Sequence, residues 1–229
     1  MMKTCGIIGG MGPEATAVFY MKLMRRFKNK EAYPPVLMYS IAETFEFTNN
    51  FLRYGGSGIE RLTMILKGLE ITQNNANFYV IPCNTAHIYI DEIRRNSKIP
   101  VISIVEETCN FLYKSNFKRI GVLASGATID CGVYTNPFSL VGMTAVIPTK
   151  DQQARVSEII VSIVKGEKNM QDKEDLLEII ACLRDKGAEC ILLACTDLPL
   201  LIEKNEGDIP IVDTMDILVD AAVLGILDV

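Results

Sequence analysis

The chain has 229 residues, 49% hydrophobic and 22% charged, with a formal net charge of −5 at pH 7. That length holds one large domain or two small ones around a sizeable core. The acidic balance and scattered basic residues exclude a nucleic-acid surface, and no apolar run approaches a membrane span. Gly-Gly and Pro stand where a signal peptide would carry its apolar stretch, so a soluble cytoplasmic protein is expected. Seven cysteines, an odd number without CxxC spacing, argue against a disulfide framework. A lone histidine, His87, leaves no zinc site.

Eight short runs rich in Ile and Val and bounded by Gly, Pro or Asn read as strands: 3–8, 35–41, 77–82, 100–104, 119–124, 143–147, 189–194 and 209–212. Helical periodicity lies between most of them. In 13–28, Pro13 suits a first helical position, and Ala17, Tyr20, Met21, Met24 and Phe27 share a face. In 58–75 the stripe is Ile59, Leu62, Ile65, Leu66 and Leu69, with Ser57 and Glu60 at capping-box spacing. In 152–165, Val156, Ile159, Ile160, Ile163 and Val164 line one side. The 173–186 helix stops naturally at Gly187. Residues 214–227 are apolar on most faces and predict a buried helix. Strand–helix alternation predicts parallel sheets with crossover helices, with lobe boundaries near Ile99 and Asp208.

The chain repeats itself. Asn77–His87 reads NFYVIPCNTAH and Glu189–Pro199 reads ECILLACTDLP. Each is a strand-like run that ends at a cysteine, Cys83 or Cys195, where a strand hands over to a helix. Gly6 and Gly121, Cys83 and Cys195, and Pro100 and Pro210 recur in one order at nearly constant spacing. Three matched landmarks predict an α/β protein of two similar lobes related by a pseudo-two-fold internal duplication. The ends of such strands are where α/β proteins hold ligands. Two thiols facing each other across the cleft between the lobes are a matched acid and base for inverting a carbon centre.

Polar residues follow both thiols: Asn84 and Thr85 in the first half, Thr196 and Asp197 in the second. Backbone N–H groups at a helix start are expected to lower a thiol pKa there. Cys5, Cys182 and Cys190 read as space-fillers, while Cys109 and Cys131 are undecided. His87, four residues after Cys83, either tunes that thiol or is a satisfied structural histidine. Asp197 either orients or deprotonates Cys195, or caps the next helix. The loop Gly9-Gly10-Met11-Gly12-Pro13 has two readings. Gly10-x-Gly12-x-x-Ala15 fits a dinucleotide fingerprint, with Glu43 as the ribose acid. The same glycines can instead bring the backbone close to a small carboxylate at a helix N-terminus, the preferred reading since it needs no nucleotide.

Gly9–Thr16, Pro82–Thr85, Leu123–Thr128, Lys165-Gly166 and Ala194–Asp197 together resemble the aspartate/glutamate racemase superfamily, whose members work without pyridoxal phosphate. The likeness covers essentially the whole chain. It implies a small amino-acid substrate, no cofactor, no metal, a homodimer, and lobes of 1–98 with 208–229 and of 99–207. It also implies that Cys83 takes the proton from the D form and Cys195 from the L form. Asn84, Thr85, Thr128 and Thr196 would hold the α-carboxylate and amine, with Met11 in the same pocket. Aspartate or glutamate is the first choice of substrate, with Lys165 or Arg53 on the distal carboxylate. Two departures stand out. Ser40–Thr48 lacks the arginine that relatives acting on aspartate tend to carry after the second strand, and it holds Glu43 and Glu46, which repel an acidic side chain if they face the pocket. Asp197 replaces a longer glutamate common after the second Cys-Thr. Rival readings are a hydantoin racemase or maleate isomerase on the same scaffold, a non-catalytic amino-acid-binding protein, and a nicotinamide-dependent oxidoreductase.

Overall fold

The computed structural model describes residues 2–54 and 58–229. Strands β1 (Cys5–Gly9), β2 (Val36–Ser40), β3 (Phe78–Val80) and β4 (Val101–Ile102) form one sheet in the order β2-β1-β3-β4. Strands β5 (Arg119–Leu123), β6 (Thr144–Val146), β7 (Cys190–Leu193) and β8 (Ile211–Asp213) form a second in the order β6-β5-β7-β8. Every pairing is parallel. The two orders are the same, so the expected duplication is present in the topology and all eight expected strands are found.

Both sheets reverse direction between their two central strands. After β1 the chain steps to one side, and β3 returns on the other. The loops leaving β1 and β3 therefore diverge and open a crevice, the usual ligand position in an open parallel sheet. The second sheet does the same at β5 and β7. Cys83 follows β3 and Cys195 follows β7, so both thiols stand at a switch point.

Glycines let the central strands pack closely. A Cβ on Gly6 would lie 2.5 Å from the Tyr79 ring, and one on Gly121 would lie 2.5 Å from Ile191 Cδ1. Tyr79 cannot swing away, because its hydroxyl is buried and bonded to Thr72 and to the Leu69 carbonyl. Gly6→Ala should therefore cost about 1–3 kcal/mol through overpacking. A urea unfolding curve with a lowered midpoint and unchanged slope checks it.

The helices connecting the strands are α1 (Pro13–Arg26), α2 (Phe45–Tyr54), α3 (Ile59–Thr72), α4 (Ile90–Asn96), α5 (Ile104–Lys114), α6 (Gly126–Asp130), α7 (Thr135–Leu140), α8 (Lys150–Val164), α9 (Met170–Asp185) and α10 (Thr214–Leu227). One expected face is rotated, and another holds except at its first turn. Helix α1 buries Ala15, Thr16, Phe19 and Leu23, and leaves Ala17 and Met21 exposed. Helix α3 buries Arg61, Ile65, Gly68, Leu69 and Thr72, while Ile59 is 62% exposed. Helix α1 carries two adjacent apolar stripes, and packing on the sheet selects between them, while α3 buries Ile65 and Leu69 of its expected stripe. Helix α3 starts after Gly58 in the left-handed conformation (φ 53°); Ser57, the expected cap, lies outside the described residues.

Ser103 caps α5 and Asp213 caps α10, each directly after the fourth strand of a sheet. Helix α10 packs on α1 and α5 and on β1, β3 and β4. The C-terminal helix thus belongs with the first sheet. The limits expected at 98/99 and 207/208 fall just before β4 and β8, which hydrogen-bond to β3 and β7. No helix among the described residues is long and apolar enough to cross a membrane.

Candidate active site

Four strand-end loops meet at the seam between the sheets: those after β1, β3, β5 and β7. Asn84 and Thr85 follow Cys83, and a short 3-10 turn (Thr85–Tyr89) begins there. Both thiols are buried, and each accepts a backbone hydrogen bond, Cys83 from Ala86 and Cys195 from Asp197. These bonds were expected to lower the thiol pKa values. The structure gives the opposite sign: burial pushes both up, and it outweighs the backbone donors. Arg61 is the main charge opposing that rise at Cys83. At Cys195 the neighbouring Asp197 adds to the rise, and charge on Cys83 raises it further. The two thiols therefore sense each other across the seam.

Cys195 Sγ donates to Asp197 Oδ2 at 3.7 Å. Asp197 makes no side-chain cap to the turn that follows it, so of its two expected roles the structure presents the one facing Cys195. Burial pushes its pKa up to about 7, with Glu14 adding to the rise and Cys195, Lys168 and Arg61 opposing it. The glycine loop is shaped around this carboxylate. Gly12 has φ 102°, a conformation that strains any side-chain-bearing residue. A Cβ there would lie 2.7 Å from Asp197 Oδ1. The glycine loop thus lies against a carboxylate of the chain itself. Glu43, the candidate ribose acid, has both oxygens on Arg61.

Hydroxyls line the rest of the seam. Thr85 Oγ1 lies 3.0 Å from Ser125 Oγ and 2.9 Å from Thr128 Oγ1, and the last two are 3.0 Å apart. Ser125 also caps α6. Such a triangle can turn a hydroxyl proton toward an incoming carboxylate without burying an unpaired group. Asn84 is held from both ends: Tyr134 Oη donates to its Oδ1 at 2.5 Å, and its Nδ2 donates to Thr214 Oγ1 at 3.1 Å. Thr196 Oγ1 donates to the Pro82 carbonyl at 3.1 Å, tying the second loop to the first. Met11 is buried in the same apolar cluster as Cys83.

His87 is a connector. The Ile104 N–H donates to its Nε2 at 3.2 Å, so Nδ1 carries the proton and donates to the Cys83 carbonyl at 2.9 Å. Burial pushes its pKa down to about 4, which keeps the ring neutral. Both nitrogens are committed to backbone, and the residue fixes the Cys83 strand end against the start of α5.

The two expected distal cations lie on α2 and at the end of α8. Lys165 is exposed at the C-cap of α8. Arg53 lies on α2, donates to Asn49 Oδ1 at 3.0 Å and pairs with Glu158 at 3.6 Å. Glu46 is exposed as well. The buried cation is Arg61, 1% exposed, which the sequence reading missed. Its Nε and Nη2 donate to Glu43 at 2.5 and 2.7 Å. A signal for it existed: Arg61 stands four and eight residues before Ile65 and Leu69, on the buried stripe of α3. Among the other cysteines, Cys5 and Cys190 fill the core as expected, but Cys182 is exposed, because its helix turns that position outward. No group of three or more His, Cys, Asp and Glu suited to a metal ion occurs among the described residues.

Residues 8–222 match the Asp/Glu/Hydantoin racemase family, and the chain belongs to it. Among curated proteins it is similar to the broad specificity amino-acid racemase RacX of Bacillus subtilis, 29% identical over 219 residues, covering 91% of this chain and 92% of that one. It is 27% identical over 192 residues to a glutamate racemase of Aquifex aeolicus, covering 82% and 71%. Among solved structures, Picrophilus torridus aspartate racemase superposes with a TM-score of 0.80 at 26% identity, covering 96% and 93%. An aspartate racemase homologue from Pyrococcus horikoshii gives 0.78 at 24% identity, covering 97% and 98%, and shares the two-lobed fold.

Proposed function

We propose that this protein is an amino-acid racemase that inverts the α-carbon with Cys83 and Cys195 as paired acid and base, without pyridoxal phosphate or a metal. One observation carries the reading: two equivalent strand ends deliver one thiol each to a common seam, where Thr196, next to Cys195, bonds at 3.1 Å to the carbonyl of Pro82, next to Cys83. A thiolate removes the α-proton from one face and the opposite thiol returns a proton to the other. Cys83 serves the D form and Cys195 the L form. An α-proton less acidic than a thiol by on the order of ten pKa units sets an uphill transfer of about 14 kcal/mol. The hydroxyls of Thr85, Thr128 and Thr196 and the Asn84 amide offset part of it by holding the α-carboxylate and amine as charge builds. Burial strengthens those contacts by excluding water. Asp197 is the local acceptor for the Cys195 proton, and Arg61 favours the thiolate at Cys83. A homodimer belongs to the same reading.

Aspartate and glutamate, the substrates expected first, need a free cation for the distal carboxylate; Lys165 is exposed, and Arg53 is already paired with Glu158. The racemase reading does not depend on that choice. Protein treated with chelator and freed of pyridoxal phosphate should still interconvert amino-acid enantiomers, read by chiral chromatography over a panel of L and D forms. Activity that vanishes on stripping and returns with the metal or pyridoxal phosphate overturns the reading. A hydantoin racemase or maleate isomerase would leave the whole panel unchanged.

A further inference from the structure

The Arg61–Glu43 pair is the most buried ionic contact among the described residues, with side chains 1% and 2% exposed. Glu43 takes the Nε and Nη2 edge of the guanidinium, and Thr48 Oγ1 adds a third bond to its carboxylate. The guanidinium stacks over Phe51 at 4.3 Å and Phe47 at 5.7 Å, both on α2. The C-terminal end of α2 in turn meets α6 of the second sheet, where a Cβ on Gly126 would lie 3.1 Å from the Arg53 carbonyl. The pair therefore sits at the seam.

One edge of the guanidinium is left over. Nη1 is buried and has no hydrogen-bond partner among the described residues. A buried donor left unsatisfied is costly and uncommon, and it calls for a partner that the described residues do not supply. Helix α3, which carries Arg61, packs against the 3-10 turn that begins at Thr85, two residues after Cys83, and Cys83 is among the charges that act on the guanidinium, so Arg61 stands in the thiol's surroundings.

Charge decides what that edge takes. With Glu43 bound, Arg61 and its partner sum to zero, and among the described residues no other lysine or arginine is buried. A carboxylate brought to Nη1 gains one hydrogen bond but meets the nearby Glu43 charge and loses its own hydration. A neutral acceptor, such as an amide carbonyl, makes the same hydrogen bond without that cost. Resting on the racemase reading, we propose that Arg61 Nη1 binds the side chain of a neutral amino acid bearing a hydrogen-bond acceptor, an amide first, and that Glu43 sets this specificity by neutralising Arg61.

Isosteric substrates isolate the charge. Glutamine against glutamate and asparagine against aspartate differ in little else. The wild-type protein should exchange the amide's α-proton in D₂O with kcat/KM about 10-fold or more above that of the matching acid. Glu43→Gln, which keeps the shape and removes the charge, should move that ratio toward the acid by about 10-fold. A wild-type preference for the acids overturns the proposal, and so does a ratio unmoved in a folded Glu43→Gln protein. If that variant does not fold, the wild-type ratio decides alone. Thermal shift by the same four compounds separates the two readings: stabilisation by amide over acid without exchange supports the proposal and removes the racemase reading. Exchange of other amino acids with neither binding nor exchange of the amides overturns the proposal and leaves the racemase standing.

Discussion

Cys83→Ser should lower net racemisation by about 10³-fold or more, and Cys195→Ser should do the same, because residues that act as a unit fail together. Serine keeps nearly the shape of cysteine but is a far poorer base at neutral pH. The two variants should differ in what survives. With Cys83 removed, Cys195 still attacks the L enantiomer, so residual solvent exchange favours L over D. With Cys195 removed, the bias reverses. The environments of the thiols are unequal in a way that bears on this. Cys195 hands its proton toward Asp197 at 3.7 Å, while Cys83 has the Arg61 guanidinium as its main stabilising charge. Single-enantiomer exchange followed by NMR checks the result. A variant that racemises at near the wild-type rate makes its cysteine structural and ends the two-base account.

Asp197→Asn should separate activity from stability. The folded-state pKa of Asp197 is about 7, raised from 3.8 chiefly by burial. A carboxyl raised in this way favours the folded state fully below about pH 4. That contribution is lost as pH climbs through about 7, because the ionised form is then buried. The asparagine variant carries no such charge. Its melting temperature, relative to wild type, should rise steadily between pH 4 and pH 7 and level off above. Activity should move the other way. Ionised Asp197 accepts the proton of Cys195, so attack on the L enantiomer should increase with pH through about 7 in the wild type. The variant should lose that limb and fall by about 10²-fold in kcat. Parallel melting and initial-rate profiles from pH 4 to pH 9 check both signs. A variant less stable at pH 8 than wild type, with its rate limb intact, would show that Asp197 is neither the buried acid nor the helper of Cys195.

Much of this architecture is legible in the chain. The strands are short apolar runs with sharp boundaries, and parallel pairing follows from the helices between them. The duplication is visible because Gly6 and Gly121 solve one packing problem twice, leaving room for Tyr79 and for Ile191. Helix faces were harder to read. Helix α1 offers two apolar stripes a short rotation apart, and only contact with the sheet selects between Phe19 and Met21, whereas α3 buries Ile65 and Leu69 as expected and exposes only Ile59 at its first turn. Helix α2 escapes notice because its Phe, Thr and Asn residues have weak helix propensity; its face packs on α6 and α8 instead. The sign of the thiol shifts was missed for a related reason. Local backbone donors can be inferred from a strand end, but the extent of tertiary burial cannot, and burial is the larger effect. Arg61 was passed over because a charged residue on a helix is ordinarily solvated. Its partner Glu43 lies 18 residues earlier in the chain, on the far side of α2, across a gap that no local pattern spans.

The most direct test of the central claim is the fate of solvent deuterium in the first few per cent of reaction. The wild-type protein is given one L-amino acid in D₂O, and the two enantiomers are separated and examined for α-deuterium. Two bases on opposite faces predict that the D product is deuterated from the first turnover, while recovered L substrate keeps its protium. The Cys83 thiol supplies deuterium from solvent, and the Cys195 thiol holds the abstracted proton on the other side. Deuterium appearing in the recovered L substrate as fast as in the D product would contradict the account, because a single base that exchanges with solvent and returns its proton to either face gives that pattern.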